Sequence, residues 1–354
     1  MSFAPLLCAL AFALALAFRR HRAAQILAAI ALAQFALADD GALGLRAVSA
    51  ATMFAPWLFL AAVLVPEPPL RSRRMLAFAG LLGFVAWLAL AAPEHVWRGL
   101  EDALPLGALS WRPSRVAGTL CLVASVVPLA RWLRRGAPLE LALALALALA
   151  ACAWFDVAGV GFARWLTIAA LVAALGVVYS SWRLAFLDAL TGLPNRRALD
   201  ETLARLSGGY ALAMVDVDHF KQFNDKHGHD AGDRVLIEVA RVLAKTRGAA
   251  AFRFGGEEFC LLFRKPDGAA EACEETRAAI EATAVALPKK PAAKSKAGKG
   301  TKTKEPQRTV NVTASIGLAA RDAKRRSAQE VLKAADQCLY RAKGKGRNQV
   351  VAER

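Results

Sequence analysis

A pair of carboxylates follows a pair of glycines in the carboxy-terminal half of this 354-residue chain. The stretch FRFGGEEF places Glu257 and Glu258 side by side inside an otherwise apolar run. Adjacent carboxylates repel each other unless a cation lies between them. Mg²⁺ is commonly held by one or two carboxylates together with substrate phosphates. The stretch therefore predicts a divalent metal site or a site for a cationic ligand.

Two predicted strands would bring a third carboxylate to these glutamates. The apolar run YALAMVDVDHF is typical of a buried strand and carries Asp216 and Asp218 at its end; because residues two apart in a strand share a face, the two carboxylates are expected to face the same way. Aspartates at the end of a strand are, on their own, often only solvated loop residues. The run AAAFRFGGEEFCLLF predicts a hairpin with a Gly255–Gly256 turn. If the two strands are neighbours, Asp216, Glu257 and Glu258 cluster in a way that favours Mg²⁺.

Helices are predicted on both sides of these strands. One begins near Arg196, directly after the turn-forming residues GLPN. Another covers the apolar positions of DRVLIEVARVLAK, which keep helical spacing. The carboxy-terminal half is therefore expected to mix helices and strands in one α+β domain.

Five motifs in order make the region from Asp188 to Asn348 resemble the GGDEF domains of the diguanylate cyclase family. They are DALTGLPNRR, DVDHFKQFNDKHGHDAGD, RFGGEEF, VTASIGLA and ADQCLYRAKGKGRN. The resemblance implies that residues 182–354 form a palm-like antiparallel sheet flanked by helices. It also implies a nucleotidyltransferase that acts as a homodimer and condenses two GTP molecules into cyclic di-GMP and two pyrophosphates. Two Mg²⁺ ions per active site are implied, with Mn²⁺ as an alternative.

The resemblance assigns the acidic residues to metal binding. It implies that Asp216, the main-chain carbonyl of Val217, Glu257 and Glu258 hold the metal ions. Glu257 resembles the residue that also helps to deprotonate the attacking 3′-hydroxyl, although the sequence leaves open which of the two glutamates does so. In two-metal phosphoryl transfer, one ion activates the attacking oxygen and the other neutralises charge on the triphosphate.

The resemblance assigns further residues to the nucleotide. Lys221, Lys343 and Arg347 would contact the phosphates, and Lys221 would also serve catalysis. Asn224 and Asp233 would bind guanine, with His229 beside them. Gly255 and Gly256 would let the backbone approach the nucleotide. A carboxylate at the guanine site can accept hydrogen bonds from N1–H and the amino group, which favours GTP over ATP.

The amino-terminal half, residues 1–181, predicts an all-α transmembrane bundle. Apolar runs give seven candidate spans, and basic links follow the first, third and fifth of them, which places the carboxy-terminal half in the cytoplasm. The fifth span is short and contains Pro128, so its crossing stays open. LELALALALALAAC is predicted to be a helix rather than a strand because it has no polar face. The spans are 3–18, 23–38, 47–66, 75–93, 116–131, 138–155 and 160–180.

The net charge of +17 does not indicate a nucleic-acid-binding protein. Seven lysines and one arginine are concentrated in residues 288–308 against one glutamate, and no aromatic residue lies among them. This composition predicts a disordered insertion in the domain; contact with anionic lipid is the alternative interpretation. The six cysteines have no metal-ligand spacing and are expected to be free, buried apolar residues.

Together these observations predict a membrane-anchored diguanylate cyclase in signal transduction. The resemblance places it as a multi-pass protein of the bacterial inner membrane, with a cytoplasmic catalytic domain regulated by a membrane domain whose signal is unknown. The alternative is a catalytically silent membrane receptor that binds GTP or cyclic di-GMP. Retention of Asp216, Glu257 and Glu258 disfavours that alternative.

Overall fold

The chain forms two compact units, Met1–Arg183 and Leu184–Arg354. The computed structural model describes residues 3–36, 54–64, 73–91, 115–155, 157–287, 309–322, 325 and 327–353. The predicted Lys-rich insertion, residues 288–308, therefore lies outside the described residues.

The described part of the first unit is helical throughout, and a helix overlaps each predicted span. Three stretches, Ala117–Arg135, Pro138–Phe155 and Phe162–Phe186, are long and apolar enough to cross a membrane, and three apolar helices are shorter. An apolar helical unit is thus confirmed, whereas seven crossings stay a prediction. The helices are α1 (Phe3–Ala17), α2 (His21–Ala36), α3 (Phe54–Leu64), α4 (Arg73–Ala91), α5 (Arg115–Arg135), α6 (Pro138–Phe155) and α7 (Phe162–Phe186).

Buried polar pairs join the helices of this unit. The guanidinium of Arg22 on α2 donates to Glu140 on α6 at 2.7 Å, and both side chains are largely buried. The amide nitrogen of Gln34 donates to Thr167 on α7 at 3.0 Å, and the thiol of Cys8 on α1 donates to the Gln34 carbonyl at 2.9 Å. Polar groups in an apolar bundle are costly unless paired. Arg22, which the sequence places in a basic link, therefore also holds two helices together.

The six cysteines are free thiols, as the sequence predicts. Cys152 is partly exposed and the other five are buried. Burial raises the pKa of Cys260 and of Cys273 to about 12. These two thiols therefore stay protonated at neutral pH and behave as small apolar side chains.

The second unit is an α+β domain built on a five-stranded sheet of order β2-β3-β1-β6-β7. Neighbouring strands are antiparallel except β6 and β7, which are parallel. A separate two-stranded ribbon joins β4 and β5. The elements are α8 (Arg196–Ala204), β1 (Ala211–Val217), α9 (Phe220–His227), α10 (His229–Leu243), β2 (Ala249–Gly255), β3 (Glu258–Phe263), α11 (Ala269–Ala282), β4 (Val285–Ala286), β5 (Thr309–Val310), β6 (Ala314–Ala320), α12 (Ala328–Gly344) and β7 (Val350–Ala352).

Strand β1 is buried along its whole length because helices cover both faces of the sheet. Its alternate residues Ala213 and Val215 pack with α10 and α11, while Leu212 and Met214 pack with α8 and α12. The predicted helix near Arg196 is confirmed: Asn195 caps α8 by accepting from the Ala198 N–H at 3.1 Å.

Helix α12 lies so close to β6 that only glycine fits at one position of the strand. A Cβ atom on Gly317 would overlap the backbone of Ala335 and Leu339. The clash involves main chain rather than flexible side-chain ends, so no rotamer change relieves it. Gly317 therefore fixes how closely α12 approaches the sheet.

We predict that Gly317→Ala lowers the free energy of unfolding of the second unit by about 2–3 kcal/mol through overpacking. The measurement is the urea dependence of hydrogen-exchange protection in β1 and β6 of the full chain in detergent. Gly344→Ala is the control, because a Cβ there meets nothing within 4 Å, and it should leave stability unchanged or raise it by up to about 1 kcal/mol. Equal effects from the two variants would contradict the role of Gly317.

Candidate active site

Two acidic side chains meet at one end of the central strands. Asp216 on β1 lies directly opposite Glu258 on β3 in the antiparallel register. Asp216 is 6% exposed, and Glu258 is partly buried. The ammonium of Lys343 on α12 contacts the Asp216 carboxylate at 2.8 Å. The predicted neighbourhood of the two strands is confirmed, and a cation already lies against one of the carboxylates.

Burial and mutual repulsion both act on this pair. Desolvation raises the pKa of Asp216 although Lys343 opposes the shift. Desolvation also raises the pKa of Glu258, and the negative charge of Asp216 adds to that effect. Each carboxylate thus holds its charge at a cost. A further cation at this end of the sheet would lower that cost.

A cleft of about 280 Å³ opens beside these carboxylates. Its walls combine acidic groups with three basic side chains, so it can accept a cation and a polyanion together. It is lined by Asp216, Val217, His219, Phe220, Lys221, Gln222, Glu257, Lys343 and Arg347. Six residues that the sequence assigns to metal, phosphate or catalysis therefore line one cleft.

The donor set suits a hard divalent cation. Among the described residues no group of three or more His, Cys, Asp or Glu side chains is placed to hold a metal. Asp216 and Glu258 face each other, while Glu257 lies in the turn beyond them. Mg²⁺ usually needs only one or two carboxylates, completed by substrate phosphates and water. The carboxylates of Asp216 and Glu258 fit such an ion, which would share Asp216 with the ammonium of Lys343.

The hairpin turn lies one residue later than the sequence predicts. Gly255 still pairs with Glu258, so the turn consists of Gly256 and Glu257. The register of the β2–β3 ladder shifts between Arg253 and Gly255, which forms a bulge. Gly256 has a φ of +51°, in the left-handed region where a residue without Cβ is least strained. Glu257 is thereby carried out of the strand and to the wall of the cleft.

An ion pair that the sequence analysis does not assign holds this turn. The guanidinium of Arg253 donates to the Gly256 carbonyl at 2.7 and 3.2 Å and to Asp188 at 2.7 Å. The Asp188 carboxylate also accepts from the backbone N–H and the hydroxyl of Thr191, at 2.8 and 2.7 Å. The only local signal for this contact is an arginine just before two glycines. Its partner is 65 positions away in the chain.

The residues predicted to bind guanine lie on two successive helices and are not among those that line the cleft. Asn224 is on α9, while His229 and Asp233 are exposed on α10. The side-chain oxygen of Asn224 is buried without a hydrogen-bond partner among the described residues. A Cβ on Gly232 would overlap that oxygen. The structure thus brings together the metal and phosphate candidates, with the guanine candidates on the helices that follow β1.

The two aspartates that follow the apolar run of β1 have different partners. Asp216 contacts Lys343, whereas Asp218 accepts hydrogen bonds from Thr313 and Ser315. Because β1 ends at Val217, the two-residue repeat of a strand does not extend to Asp218. The predicted shared face of the two carboxylates depends on the two-residue repeat of a strand, and Asp218 lies beyond the end of that strand.

The sheet, the carboxylate pair and the basic cleft are features of a nucleotide-handling α+β domain. Residues 185–349 match the family model described as "Diguanylate cyclase, GGDEF domain". This half of the chain belongs to the GGDEF diguanylate cyclase family. The family resemblance seen in the sequence is thereby confirmed.

The chain is similar to several named proteins over this half. It is 37% identical to diguanylate cyclase DgcP of Pseudomonas aeruginosa, covering 47% of this chain and 24% of that protein. It is 35% identical to diguanylate cyclase DgcM of Escherichia coli K12, covering 47% of this chain and 38% of that protein. The solved coiled coil and GGDEF domain of DgcB from Caulobacter crescentus is 31% identical, with a TM-score of 0.45, covering 54% of this chain and 98% of that one. The chain spans about a quarter to two fifths of the two curated relatives.

Arg253 joins Asp188 to the Gly256 carbonyl, and we call this pair of contacts the clamp on the turn. The charge of Asp188 allows the clamp to be tested. Burial opposes its ionisation, but hydrogen bonds from Arg253 and Thr191 leave its pKa below the ordinary value of 3.8. A carboxylate with a lowered folded-state pKa contributes stability above its unfolded pKa and loses it as the pH falls through the folded value. The contribution of Asp188 is therefore complete at neutral pH and disappears below about pH 4.

We predict that Asp188→Asn lowers the free energy of unfolding of the second unit by about 1 kcal/mol at pH 7, a figure that allows for solvent screening. The difference from wild type should shrink as the pH falls below about 4, where the wild-type carboxyl is protonated too. The urea dependence of amide hydrogen exchange in β2 and β3 measures this difference in the free energy of unfolding. Asp200→Asn, on the exposed side of α8, is the control, and a pH-independent effect of Asp188→Asn would exclude the charge as its cause.

Proposed function

We propose that this chain is a diguanylate cyclase that condenses two GTP molecules into cyclic di-GMP and two pyrophosphates. The observation that carries the proposal is the Asp216–Glu258 pair beside a cleft with three basic side chains. Curated relatives of this half of the chain are named diguanylate cyclases, which supports the same reaction here. Mg²⁺ is the proposed cofactor, with Mn²⁺ as an alternative.

The basic residues of the cleft would bind the triphosphate. Lys343 is fixed beside Asp216, and Arg347 and Lys221 line the same cleft. Their charges would orient the phosphates and offset the charge that develops on the leaving pyrophosphate. Gly256, which has no Cβ, would let the nucleotide lie close to the turn.

The acidic residues would divide between proton transfer and metal binding. Asp216, Glu258 and the Val217 carbonyl would hold Mg²⁺, with Glu257 completing the set. When bound, Mg²⁺ supplies charge neutralisation at the triphosphate and makes the 3′-hydroxyl more acidic. Glu257 lines the cleft from the turn, while Glu258 faces Asp216 across the strands. That placement supports Glu257 as the proton acceptor.

Base selection would use the helices that follow β1. Asp233 would accept hydrogen bonds from guanine N1–H and the amino group, and Asn224 would contact the base beside it. Asn224 lies on α9 and Asp233 on α10, the two helices that follow β1, with His229 at the start of α10. Adenine lacks that pair of donors, so the proposed site selects GTP.

The proposed reaction needs two copies of the chain. One cleft would hold one GTP, and each 3′-hydroxyl would attack the α-phosphate held by the other copy, so a homodimer is the active species. The first unit would anchor both copies in the bacterial inner membrane as a multi-pass domain with the second unit in the cytoplasm. The three long apolar helices support this placement.

The second candidate function is a membrane receptor that binds GTP or cyclic di-GMP without converting it. The buried side-chain oxygen of Asn224, which has no hydrogen-bond partner among the described residues, and the cleft with its three basic side chains would bind a nucleotide in such a receptor equally well. The complete carboxylate set favours catalysis, because a receptor gains nothing from a costly acidic pair.

The decisive experiment is an assay of the full chain in nanodiscs with GTP and Mg²⁺, with products separated by chromatography. We predict that wild type forms cyclic di-GMP and that Glu257→Gln and Asp216→Asn each lower the rate at least about a hundredfold. Glu271→Gln, an exposed carboxylate on α11, is the matched control and should retain the wild-type rate. Bound GTP that stays unconverted in the wild type would contradict a constitutively active cyclase and leave either the receptor or an enzyme that needs the signal of its membrane domain.

Regulation by the first unit has its own test. Helix α7 ends at Phe186, two residues before Asp188, so a rotation of this helix could reach the clamp on the turn. We predict that inserting one to four alanines after Trp182 changes the rate of cyclic di-GMP synthesis periodically, because each inserted residue rotates the following helix by about 100°. The same insertions between residues 295 and 300 should have no periodic effect. A flat response after Trp182 would contradict helical coupling.

A further inference from the structure

Asp218, the residue that follows β1, accepts several hydrogen bonds and is not part of the Asp216–Glu258 pair. The buried carboxylate of Asp218 accepts from the hydroxyls of Thr313 at 2.8 Å and Ser315 at 2.6 Å. It also accepts from the backbone N–H of Asn348 at 3.0 Å, and its own N–H donates to the Thr313 carbonyl at 2.9 Å. Asp218 therefore joins the end of β1 to the start of β6 and to the loop between α12 and β7.

That loop has a backbone that must be held in place. Arg347 and Asn348 have φ values of +65° and +47°, in the left-handed region that non-glycine residues rarely adopt. Such residues persist only when their surroundings fix them. The Arg347 N–H donates to the Ala342 carbonyl at 3.1 Å, and the Asn348 N–H donates to Asp218. The Arg347 carbonyl also accepts from the Gln349 side chain at 3.2 Å. The hydrogen bond to Asp218 is thus one of the main-chain contacts that hold the consecutive left-handed residues.

The side chain of Asn348 fixes the other side of the loop. Its amide oxygen accepts from Arg277 on α11 at 2.7 Å, and its amide nitrogen donates to Glu281 at 3.0 Å. Asn348 therefore spans the space between Asp218 and α11. Arg347, one residue earlier, lines the cleft beside Asp216 and Lys343. The position of this guanidinium at the cleft depends on a loop whose backbone Asp218 holds.

We propose that Asp218 is a positioning residue, which holds the α12–β7 loop so that Arg347 faces the triphosphate, and that it is not a metal ligand. The inference rests on the proposed function for the identity of the ligand. The alternative is that both aspartates of the D-x-D pair bind the metal ion, which the sequence alone permits.

Asparagine at this position separates the two roles. Its amide oxygen can accept from the Asn348 N–H and the Thr313 hydroxyl, while its amide nitrogen donates to the Ser315 hydroxyl, which can turn to accept. All three contacts therefore survive without a negative charge. Alanine loses all three. A metal ligand, in contrast, would lose its function in either variant, since an amide is a much weaker ligand for Mg²⁺ or Mn²⁺ than a carboxylate.

The test uses the full chain in nanodiscs and three variants: Asp218→Asn, Asp218→Ala and Asp216→Asn. Mn²⁺ binding without nucleotide is followed by electron paramagnetic resonance, and the KM for GTP by product formation.

Asp218→Asn should leave the Mn²⁺ Kd and the KM for GTP within about twofold of wild type. Asp218→Ala should raise the KM about tenfold with the Mn²⁺ Kd unchanged, whereas Asp216→Asn should weaken Mn²⁺ about tenfold or more. Weakened Mn²⁺ binding in Asp218→Asn would overturn the proposal.

A double variant tests whether Asp218 acts through Arg347. If it does, Asp218→Ala combined with Arg347→Ala should raise the KM no further than Arg347→Ala alone. Additive effects would show that Asp218 acts on the nucleotide by another route and would overturn the proposal.

Hydrogen exchange keeps the inference separate from the proposed function. Asp218→Ala should speed amide exchange in residues 346–349 while protection in β1 and β3 stays at the wild-type level, and Asp218→Asn should leave the loop unchanged. If no cyclic di-GMP forms and GTP does not bind, the proposed function fails, yet faster loop exchange still supports the positioning role. Unchanged loop exchange in Asp218→Ala overturns the inference whatever the enzyme assay gives.

Discussion

The second unit depends on the concentration of negative charge at one end of a strand that is otherwise wholly apolar. Asp216 is nearly buried and faces Glu258, and its burial raises its pKa, so a positive charge beside it favours the ionised form. Lys343 provides part of that charge from α12. The same helix packs closely on β6 at Gly317. One helix thus carries both a core contact and a charge of the cleft.

Near this acidic end, two further carboxylates hold loops of the backbone in place. Asp188 fixes the turn that carries Glu257, because it anchors the arginine that binds the Gly256 carbonyl. Asp218 fixes the loop that carries Arg347, because it accepts the Asn348 N–H. One clamp places an acidic residue and the other a basic residue on the same cleft. The site is therefore positioned from both sides by groups that the cleft itself does not contain.

The sequence predicts what is encoded locally. The apolar run of β1, the hairpin with its glycines and the helix that begins near Arg196 are all short-range patterns, and the structure contains them. The long-range contacts could not be read in this way. Arg22 with Glu140, Arg253 with Asp188 and Asp218 with Asn348 join positions 118, 65 and 130 residues apart. Such pairs depend on which strands and helices are neighbours in space, and periodicity carries no information about that.

Partial errors in the prediction had equally physical causes. The turn lies at Gly256 and Glu257 because a bulge in β2 shifts the register by one residue, and bulges leave no signal in an apolar run. The predicted shared face of Asp216 and Asp218 requires a strand that includes both residues, whereas β1 ends at Val217. The family motifs picked out residues that the structure places on one cleft, since these residues lie in short segments whose spacing is set by single elements.

The bulge has one more consequence, for the way in which two copies of the chain can meet. Strand β2 is an edge of the five-stranded sheet, and a strand at an edge can pair with a strand of another molecule where its backbone groups are free. At Arg253 the N–H is already bonded to the Pro194 carbonyl at 2.8 Å. The irregularity between Arg253 and Gly255 interrupts the regular ladder at the end nearest the cleft. It makes this edge a poor template for β-augmentation. Association of two sheets through this edge is thereby discouraged.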